Sequence, residues 1–266
     1  MTGLSAGAAP LMTRALLAWW DMHGRKDPAQ KPWMFTPAGQ WPTAVEDLDL
    51  YGIWIAEVML QQTQLAVALP YWTRWMAAFP SVEDLASASL DEVRLKWQGL
   101  GYYSRGRRLH EAAQILVCRA WPHTLEGWIA LPGIGRTTAG SILSSAFNAQ
   151  LPILDGNVKR VLARLTAHPR PPARDEALFW SWSEALLDPR RPRDFNQALM
   201  DLGATLCTPR RPDCARCPLQ FHCAAYASGD PCRLPVTDAP KPLPFQVIGV
   251  GVVLKAAGEG LIGQRV

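Results

Sequence analysis

Four cysteines placed close together constrain this chain more than any other feature of its sequence. They are Cys207, Cys214, Cys217 and Cys223, and they follow the spacing C-x6-C-x2-C-x5-C. Four thiolates this close can surround one tetrahedral zinc ion or one [4Fe–4S] cluster, and spacing alone does not decide between the two. The segment 207–223 is therefore predicted to be a compact metal-binding loop.

The remaining cysteines and the apolar residues bear on the class of protein. Cys118 and Cys232 lie outside the four-cysteine pattern, and we interpret them as a buried thiol and a linker thiol. The sequence shows no secretion signal, which argues against a disulfide framework. No apolar run approaches the roughly 18–20 residues that span a bilayer. We predict a cytoplasmic, monomeric protein without a membrane partner.

The charged residues give a weak indication of a polyanionic partner. The formal net charge is +4, and arginine supplies 21 of the 27 basic residues. The guanidinium group binds phosphates and stacks on flat groups better than the lysine ammonium does. Nucleic acid is therefore the partner that this composition favours.

Apolar residues recur at spacings of three and four through the first 206 residues, as in Val161 and Leu165. This spacing predicts a succession of short helices and an all-α fold. Ser81, Ser89 and Thr124 each stand where a helix should begin. Glycines mark predicted helix ends at Gly24, Gly99 and Gly101.

Two proline-rich stretches interrupt the helical pattern. Residues 28–50 lack periodicity and are predicted to form a long loop before a helix that begins near Tyr51. Residues 229–244 are predicted to be a stiff linker. After the linker, residues 245–266 are predicted to form two β-strands around a turn, which is too little for an independently stable domain.

A glycine-rich motif, LPGIGRTTAG, occupies residues 131–140 at the start of a predicted helix. Gly133 and Gly135 can adopt backbone conformations that expose N–H groups to an anion, and Arg136 follows them directly. The motif predicts a site for a DNA phosphate. Two glycines by themselves are equally typical of an ordinary turn between helices.

Two carboxylates are candidates for acid–base chemistry. Glu57 shares a helical stripe with apolar residues, so burial should raise its pKa towards that of a general acid at neutral pH. On the helix pattern alone it could also be a surface residue. Asp155 directly precedes a helix and could be only its N-cap. Together, an acid and a fixed anion suit the cleavage of a glycosidic bond.

With these residues identified, the chain resembles the MutY-type adenine DNA glycosylases of the helix-hairpin-helix superfamily. The resemblance runs from about Leu11 to Leu234. It depends most on EVMLQQTQ (57–64), GLGYYSR (99–105), LPGIGRTTAG (131–140), PILDGNVKRVLAR (152–164), FNQALMDLGATLCT (195–208) and the four-cysteine loop.

This resemblance implies a two-lobed, all-α enzyme that binds double-stranded DNA between its lobes. Residues 48–152 would form a six-helix barrel, and residues 1–47 with 153–228 would form the cluster lobe. The resemblance also favours [4Fe–4S] over zinc. Its substrate would be adenine mispaired with 8-oxoguanine or guanine.

The resemblance also implies roles for catalytic residues. Glu57 would protonate the adenine and then help to activate water, while Asp155 would stabilise the positive sugar. Asn157 would support this site. Thr137 falls where lyase relatives carry a lysine nucleophile, so the resemblance implies a monofunctional glycosylase.

Other positions match residues that contact DNA. Gln62 and Tyr102 would insert into the duplex beside the damaged guanine. Four residues would line the pocket for the flipped adenine: Trp33, Leu60, Gln197 and Met200. Core packing is the alternative interpretation of Trp33 and Met200.

The chain departs from the family pattern in two places. Residues 34–50 are longer than the family's usual connection, which weakens the placement of Trp33. Residues 245–266 resemble only the first hairpin of a MutT-like domain, so we expect weaker discrimination of 8-oxoguanine from guanine. Two other functions stay open: a pyrimidine-lesion glycosylase and lyase like endonuclease III, and a non-catalytic DNA-binding module.

Overall fold

The helices of this chain gather around two hydrophobic cores. The computed structural model describes residues 7–43 and 45–238; in these residues it contains twelve α-helices and no β-strand. The prediction of an all-α fold is confirmed. In chain order the helices are α1 Ala9–His23, α2 Leu50–Leu60, α3 Leu65–Ala78, α4 Val82–Ser87, α5 Leu90–Trp97, α6 Ser104–Leu116, α7 Leu125–Ile129, α8 Arg136–Phe147, α9 Gly156–Leu165, α10 Glu176–Leu186, α11 Pro192–Thr205 and α12 Ala224–Ala227.

The first core is built by α2 to α8, with α2 at its centre. Eight of the eleven residues of α2 are buried, on all sides of the helix. A helix that is apolar all round must be enclosed by other elements, because no face of it gains by contact with water. Tryptophans fill much of the space around it, and Trp54, Trp75 and Trp128 are completely buried.

The second core joins the two ends of the described chain. It is formed by α1 together with α9, α10 and α11, and Leu219 of the four-cysteine loop packs into it. Helices α8 and α11 contact each other, so the two cores adjoin within one compact unit, residues 1–236. The boundaries predicted for the two lobes stay a prediction.

Local sequence signals account for several helix ends. Ser81, Ser89 and Thr124 each accept a hydrogen bond from a backbone N–H in the first turn of the next helix, as predicted. In return, the backbone N–H of Ser89 donates to the Glu92 carboxylate, which completes a capping box. Helix α2 begins at Leu50, where the Asp49 side chain accepts two backbone N–H groups.

The loop predicted before α2 is largely irregular, with one short 3-10 turn at Pro32–Met34. The interpretation of Cys118 as a buried thiol is wrong. Cys118 is exposed, because it lies in the turn just beyond the end of α6 and faces away from the first core. No helix among the described residues is long and apolar enough to cross a membrane. The predicted strands in 245–266, and residues 239–244 of the linker, lie outside the described residues.

Candidate active site and DNA interface

Glu57 lies in the central helix α2, where protein surrounds most of its side chain and water reaches part of it. Burial raises the pKa of Glu57 to about 7, because a carboxylate loses hydration there. The nearby charge of Asp155 also raises the pKa, while Lys31 lowers it. The buried Ser141 hydroxyl has no well-aligned hydrogen-bond partner among the described residues, and its proximity also lowers the pKa of Glu57.

Asp155 is the N-cap of α9, as its sequence position predicts. Its side chain accepts a hydrogen bond of 2.7 Å from the backbone N–H of Val158. Burial raises the pKa of Asp155, while the N–H groups of Val158 and Asn157 act in the opposite direction by favouring the carboxylate. Because the Asp155 charge raises the pKa of Glu57, the start of α9 lies close enough to α2 for the two carboxylates to interact.

Asn157 connects the start of α9 to the four-cysteine loop. Its Oδ1 accepts a hydrogen bond of 2.8 Å from Arg160, and Arg160 also donates to the carbonyls of Gly203 and Cys207 at 2.7 and 2.8 Å. Gly203 faces Asn157 so closely that a side chain there would overlap it. The start of α9 is therefore fixed against both α11 and the cysteine loop.

Lys31 is a residue of this site that the sequence analysis missed. It is buried, and its ammonium donates to Gln197 Oε1 at 2.8 Å and to Asp201 Oδ1 at 2.9 Å. Arg25 binds the same Asp201 carboxylate. One signal was present: Gln197 and Asp201 lie one turn apart on α11, so both can face a single cation.

The four residues predicted to line a base pocket differ in accessibility. Gln197 is 3% exposed and Trp33 is 5% exposed, so both are enclosed in this structure. Trp33 packs against Trp72 with 5.2 Å between ring centroids, within the first core. Leu60 and Met200 are partly buried. Trp33 is packed within the first core in this structure, and its place in a base pocket stays a prediction that requires its neighbours to move.

Gln62 and Tyr102, the two predicted wedge residues, are both exposed and both have a left-handed backbone. Their φ angles are 56° and 47°, which is uncommon for residues other than glycine. Arg105 lies between the two turns that carry them. Its guanidinium donates to the Gln61 carbonyl beside one wedge and to the Gly101 carbonyl, at 3.3 Å, beside the other.

Further contacts of Arg105 strengthen this connection. The guanidinium donates to the carbonyls of Val58 and Met59, at 3.1 and 2.9 Å, which lie near the C-terminus of α2. It also lies 5.2 Å from the centre of the Tyr102 ring, in a cation–π contact. Arg105 therefore ties the end of the helix that carries Glu57 to both exposed turns.

The glycine-rich motif forms the turn between α7 and α8. Gly133 has a φ of 81°, which only glycine adopts readily, and no atom lies within 4 Å of where a Gly135 Cβ would be. Arg136 is exposed and stacks 4.0 Å from the ring of Trp180, and Thr137 follows in the first turn of α8, partly buried. Open space at a helix N-terminus suits an anion such as a DNA phosphate.

Cys207, Cys214, Cys217 and Cys223 line one enclosed cavity beside α9. Among the described residues, no three His, Cys, Asp or Glu side chains meet where a single metal ion would bind. The four thiols nevertheless line one cavity, as the ligands of a single metal centre must.

The electrostatics of the loop also fit a cationic group. Burial raises the pKa of Cys217 to about 12, and the charges of the other three cysteines contribute to this rise. Arg164 is the cation beside them and donates to Cys207 Sγ at 3.3 Å. Binding iron supplies the positive charge that four thiolates require.

Comparison with protein families identifies the helical part of the chain. Residues 55–184 match the model of the HhH-GPD superfamily base excision DNA repair protein. This part of the chain is an HhH-GPD domain. This family match includes Glu57, the turn between α7 and α8, and Asp155.

A second match, over residues 207–223 of this HhH-GPD protein, is to the iron-sulfur binding domain of endonuclease III. It begins and ends at the first and last of the four cysteines. The cofactor is one [4Fe–4S] cluster. The four cysteines of this segment are the residues that would hold it, and a bound cluster would tie them together and fix the loop against α9.

Curated relatives are adenine DNA glycosylases. The mouse protein is 47% identical over 79% of this chain and 41% of its own length. The human protein is 46% identical over 79% of this chain and 38% of its own length. A Buchnera aphidicola relative is 35% identical over 89% of this chain and 65% of its own length. The chain therefore spans about two fifths of the length of the mammalian relatives that it matches.

Solved structures share the fold. A thermostable thymine-DNA glycosylase has a TM-score of 0.70 and is 24% identical, over 84% of this chain and 98% of that one. Endonuclease III trapped in a covalent DNA intermediate has a TM-score of 0.67 and is 18% identical, over 85% of this chain and 99% of that one. At these identities the likeness concerns the fold alone.

Proposed function

We propose that this HhH-GPD protein hydrolyses the N-glycosidic bond of adenine mispaired with 8-oxoguanine or guanine in double-stranded DNA. Adenine DNA glycosylases among its relatives support this substrate. The proposal includes action as a monomer, in the cytoplasm of a bacterium, on nucleoid DNA. Glu57 is the general acid and base, Asp155 the stabilising anion, and Asn157 a supporting residue.

One observation carries the proposal: the pKa of Glu57 is raised to about 7 by burial, and the nearby charge of Asp155 contributes to this rise. At that pKa both protonation states are populated near neutral pH, as a group that must give and then take a proton requires. Asp155 receives backbone N–H donors from the start of α9, which favours its charged form. The site thus contains one proton donor and one fixed anion.

These residues can carry out hydrolysis in two steps. The protonated Glu57 gives its proton to a ring nitrogen of adenine, so the bond between base and sugar breaks with its electron pair leaving on the neutral base. The sugar becomes an oxocarbenium-like cation, which the Asp155 carboxylate stabilises. The Glu57 carboxylate then takes a proton from water as the water oxygen bonds to the anomeric carbon. Free adenine and an abasic sugar result.

The surrounding residues would hold the DNA. Gly133, Gly135 and Arg136 face a phosphate, and Gln62 with Tyr102 inserts beside the opposite base. Flipping a base costs roughly a few kcal/mol in lost stacking and pairing. Leu60, Gln197, Met200 and Trp33 would receive the base once their enclosed packing opens. Thr137 has no amine for a covalent bond with the sugar, so the abasic strand is left intact.

Single-turnover release of adenine from duplexes with A:8-oxoguanine, A:G and A:T tests the proposal. We expect release from the first two duplexes and loss of roughly 10²-fold or more for Glu57→Gln, the usual size of a general-acid contribution. Glu83→Gln changes an exposed carboxylate on α4 and is the matched control. It should release adenine as fast as wild type does. Equal release by wild type and Glu57→Gln would contradict the catalytic assignment.

The same experiment separates the alternatives. A non-catalytic DNA-binding module would bind duplex DNA in a salt-sensitive manner, release no base, and be unaffected by Glu57→Gln. A pyrimidine-lesion lyase would leave adenine in place and cleave duplexes that carry oxidised pyrimidines.

A further inference from the structure

Lys31 places a cation at the wall of the proposed excision site. It is 5% exposed and directly precedes the Pro32–Met34 turn. Buried lysines are rare because desolvation of the ammonium is costly, so one that persists needs close partners. Its partners here are Gln197 Oε1 at 2.8 Å and Asp201 Oδ1 at 2.9 Å, both on α11.

The Asp201 carboxylate does not neutralise Lys31 by itself, because it already pairs with another cation. Arg25 donates to Asp201 Oδ1 from Nε at 2.7 Å and from Nη2 at 2.6 Å, and its backbone N–H donates to Oδ2 at 2.9 Å. Trp20 Nε1 also donates to Oδ2, at 3.1 Å. Two basic side chains thus share one buried carboxylate. Burial lowers the pKa of Lys31, whereas the charges of Asp201 and Glu57 raise it and so favour the charged ammonium.

Glu57 is the other acid that experiences this charge. The groups that face Glu57 come from three directions: Lys31 from the segment before α2, the Ser141 hydroxyl from α8, and Asp155 from the start of α9. Lys31 is the cation among them. Its charge favours the Glu57 carboxylate, whereas burial and Asp155 favour the protonated acid.

Lys31 also determines how Gln197 presents its amide. The ammonium can donate hydrogen bonds but cannot accept one. It therefore binds only the oxygen of the amide, and the amide nitrogen must point the other way. That nitrogen lies 3.5 Å from Ser145 Oγ and 3.9 Å from Met34 Sδ, both of which are weak contacts. Gln197 is therefore fixed as a hydrogen-bond donor with spare capacity.

We propose that Lys31 is a positioning residue of the excision site, whose ammonium fixes Gln197 as a donor towards the flipped base and supplies Glu57 with its positive counter-charge. The inference rests on the proposed function, because it assigns the base to this site. Its consequence is that Glu57 gives up its proton more easily than burial alone would allow. Lys31 touches neither the sugar nor the bond that breaks.

Titration of the Glu57 carboxyl in the folded, cluster-containing protein tests this inference. Difference infrared spectra between each protein and its Glu57→Gln counterpart isolate the carboxyl band as pH changes. We expect the Glu57 titration to move up by about one pH unit in Lys31→Met and in Lys31→Gln, the size expected when a nearby opposite charge is lost. The basic limb of adenine release against pH should move by the same amount.

Lys26→Met is the matched control, because it removes a lysine ammonium of the same segment that contacts Asp21 rather than Asp201. It should leave the Glu57 titration in place. The proposal is overturned if the titration is unchanged in the Lys31 variants, if Lys26→Met shifts it equally, or if neither Lys31 variant folds, since Lys31 is then structural. Lys31→Gln retains a polar partner for Asp201 where Lys31→Met loses it.

The outcome is distinguishable from failure of the proposed function. A shifted Glu57 titration with no release of adenine by the wild type would refute the proposed substrate and leave the link between Lys31 and Glu57 in place. Release of adenine with an unchanged titration would refute only the role of Lys31.

Discussion

Gly203 on α11 lies so close to Asn157 on α9 that a Cβ at position 203 would come within 2.7 Å of the Asn157 Cβ. Real Cβ atoms do not approach this closely, so any larger residue must push the two helices apart. The helix that moves begins at Asp155, the proposed anion of the site. A glycine on one helix thus controls the position of a carboxylate on another.

Gly203→Ala should therefore lower both stability and the rate of adenine release. Overpacking costs about 1–3 kcal/mol, which exceeds the gain of about 1 kcal/mol in helix propensity when alanine replaces glycine. Denaturant unfolding and single-turnover release would measure the two effects. Gly156→Ala is the control for stability, because it is also helical and no atom lies within 4 Å of its added Cβ. Equal stability of the two variants would show that α9 and α11 separate freely.

The raised pKa of Glu57 predicts how stability depends on pH. Its folded pKa of about 7 lies above the ordinary value of 4.5, so its contribution to stability is complete below pH 4.5 and is lost as pH rises through 7. Glu57→Gln cannot ionise. It should be more stable than wild type, by a free-energy difference that grows by about 2 kcal/mol between pH 5.5 and 8.5, and the margin in melting temperature should grow with it. A constant margin would contradict the raised pKa; Glu83→Gln is the control.

Arg105 contacts both turns that carry the predicted wedge residues. Replacing its planar guanidinium should therefore weaken lesion recognition. Lysine keeps the charge but cannot bind several carbonyls at once. Arg105→Lys should lower the ratio of adenine release from A:8-oxoguanine and A:G duplexes several-fold, because Gln62 and Tyr102 lose their common anchor. Arg107→Lys is the control: it lies on the same helix, half exposed, in an ion pair with Glu111. An unchanged ratio in Arg105→Lys would limit Arg105 to structural support.

Thr137 should keep the enzyme from forming a covalent bond with DNA. Borohydride trapping with a substrate duplex should give no adduct with the wild type, and Thr137→Lys, which places an amine in the first turn of α8, should give one. Denaturing gel electrophoresis of labelled DNA would show the adduct. Strong trapping by the wild type would refute the monofunctional mechanism.

The four-cysteine loop predicts a coloured protein. Cluster binding should give broad visible absorbance near about 400 nm, and Cys214→Ser should reduce it together with folding stability. Cys232→Ser is the control, because Cys232 is exposed and lies outside the four ligands, where its thiol contacts the Arg210 carbonyl. Equal loss of absorbance in both variants would contradict the ligand assignment.

The parts of this site that depend on local sequence could be predicted. Asp155 precedes a helix and caps it, and Glu57 sits in an apolar stripe that becomes the central helix. Lys31 could not be found in this way, because its partner Asp201 lies 170 positions away in sequence and only the fold brings them together. Arg105 belongs to the motif GLGYYSR, but its role depends on carbonyls that converge from two separate turns.

The accessibility of single residues was harder to predict for the same reason. Cys118 follows α6, whose inner face is buried. It lies beyond the C-cap of that helix, in a turn where its thiol is exposed. Trp33 and Gln197 are both enclosed in this structure, which their sequence positions did not indicate, and their place in a base pocket stays a prediction.

The left-handed backbones of Gln62 and Tyr102 have a thermodynamic consequence of their own. Each costs about 1 kcal/mol or more in a residue with a side chain, and glycine would avoid most of that cost. Glycine at both positions would give a more stable protein with nothing to insert into the duplex. The protein is therefore less stable than the same fold would be with glycine at these two positions. The lost stability lies at the surface that we assign to the search for damage.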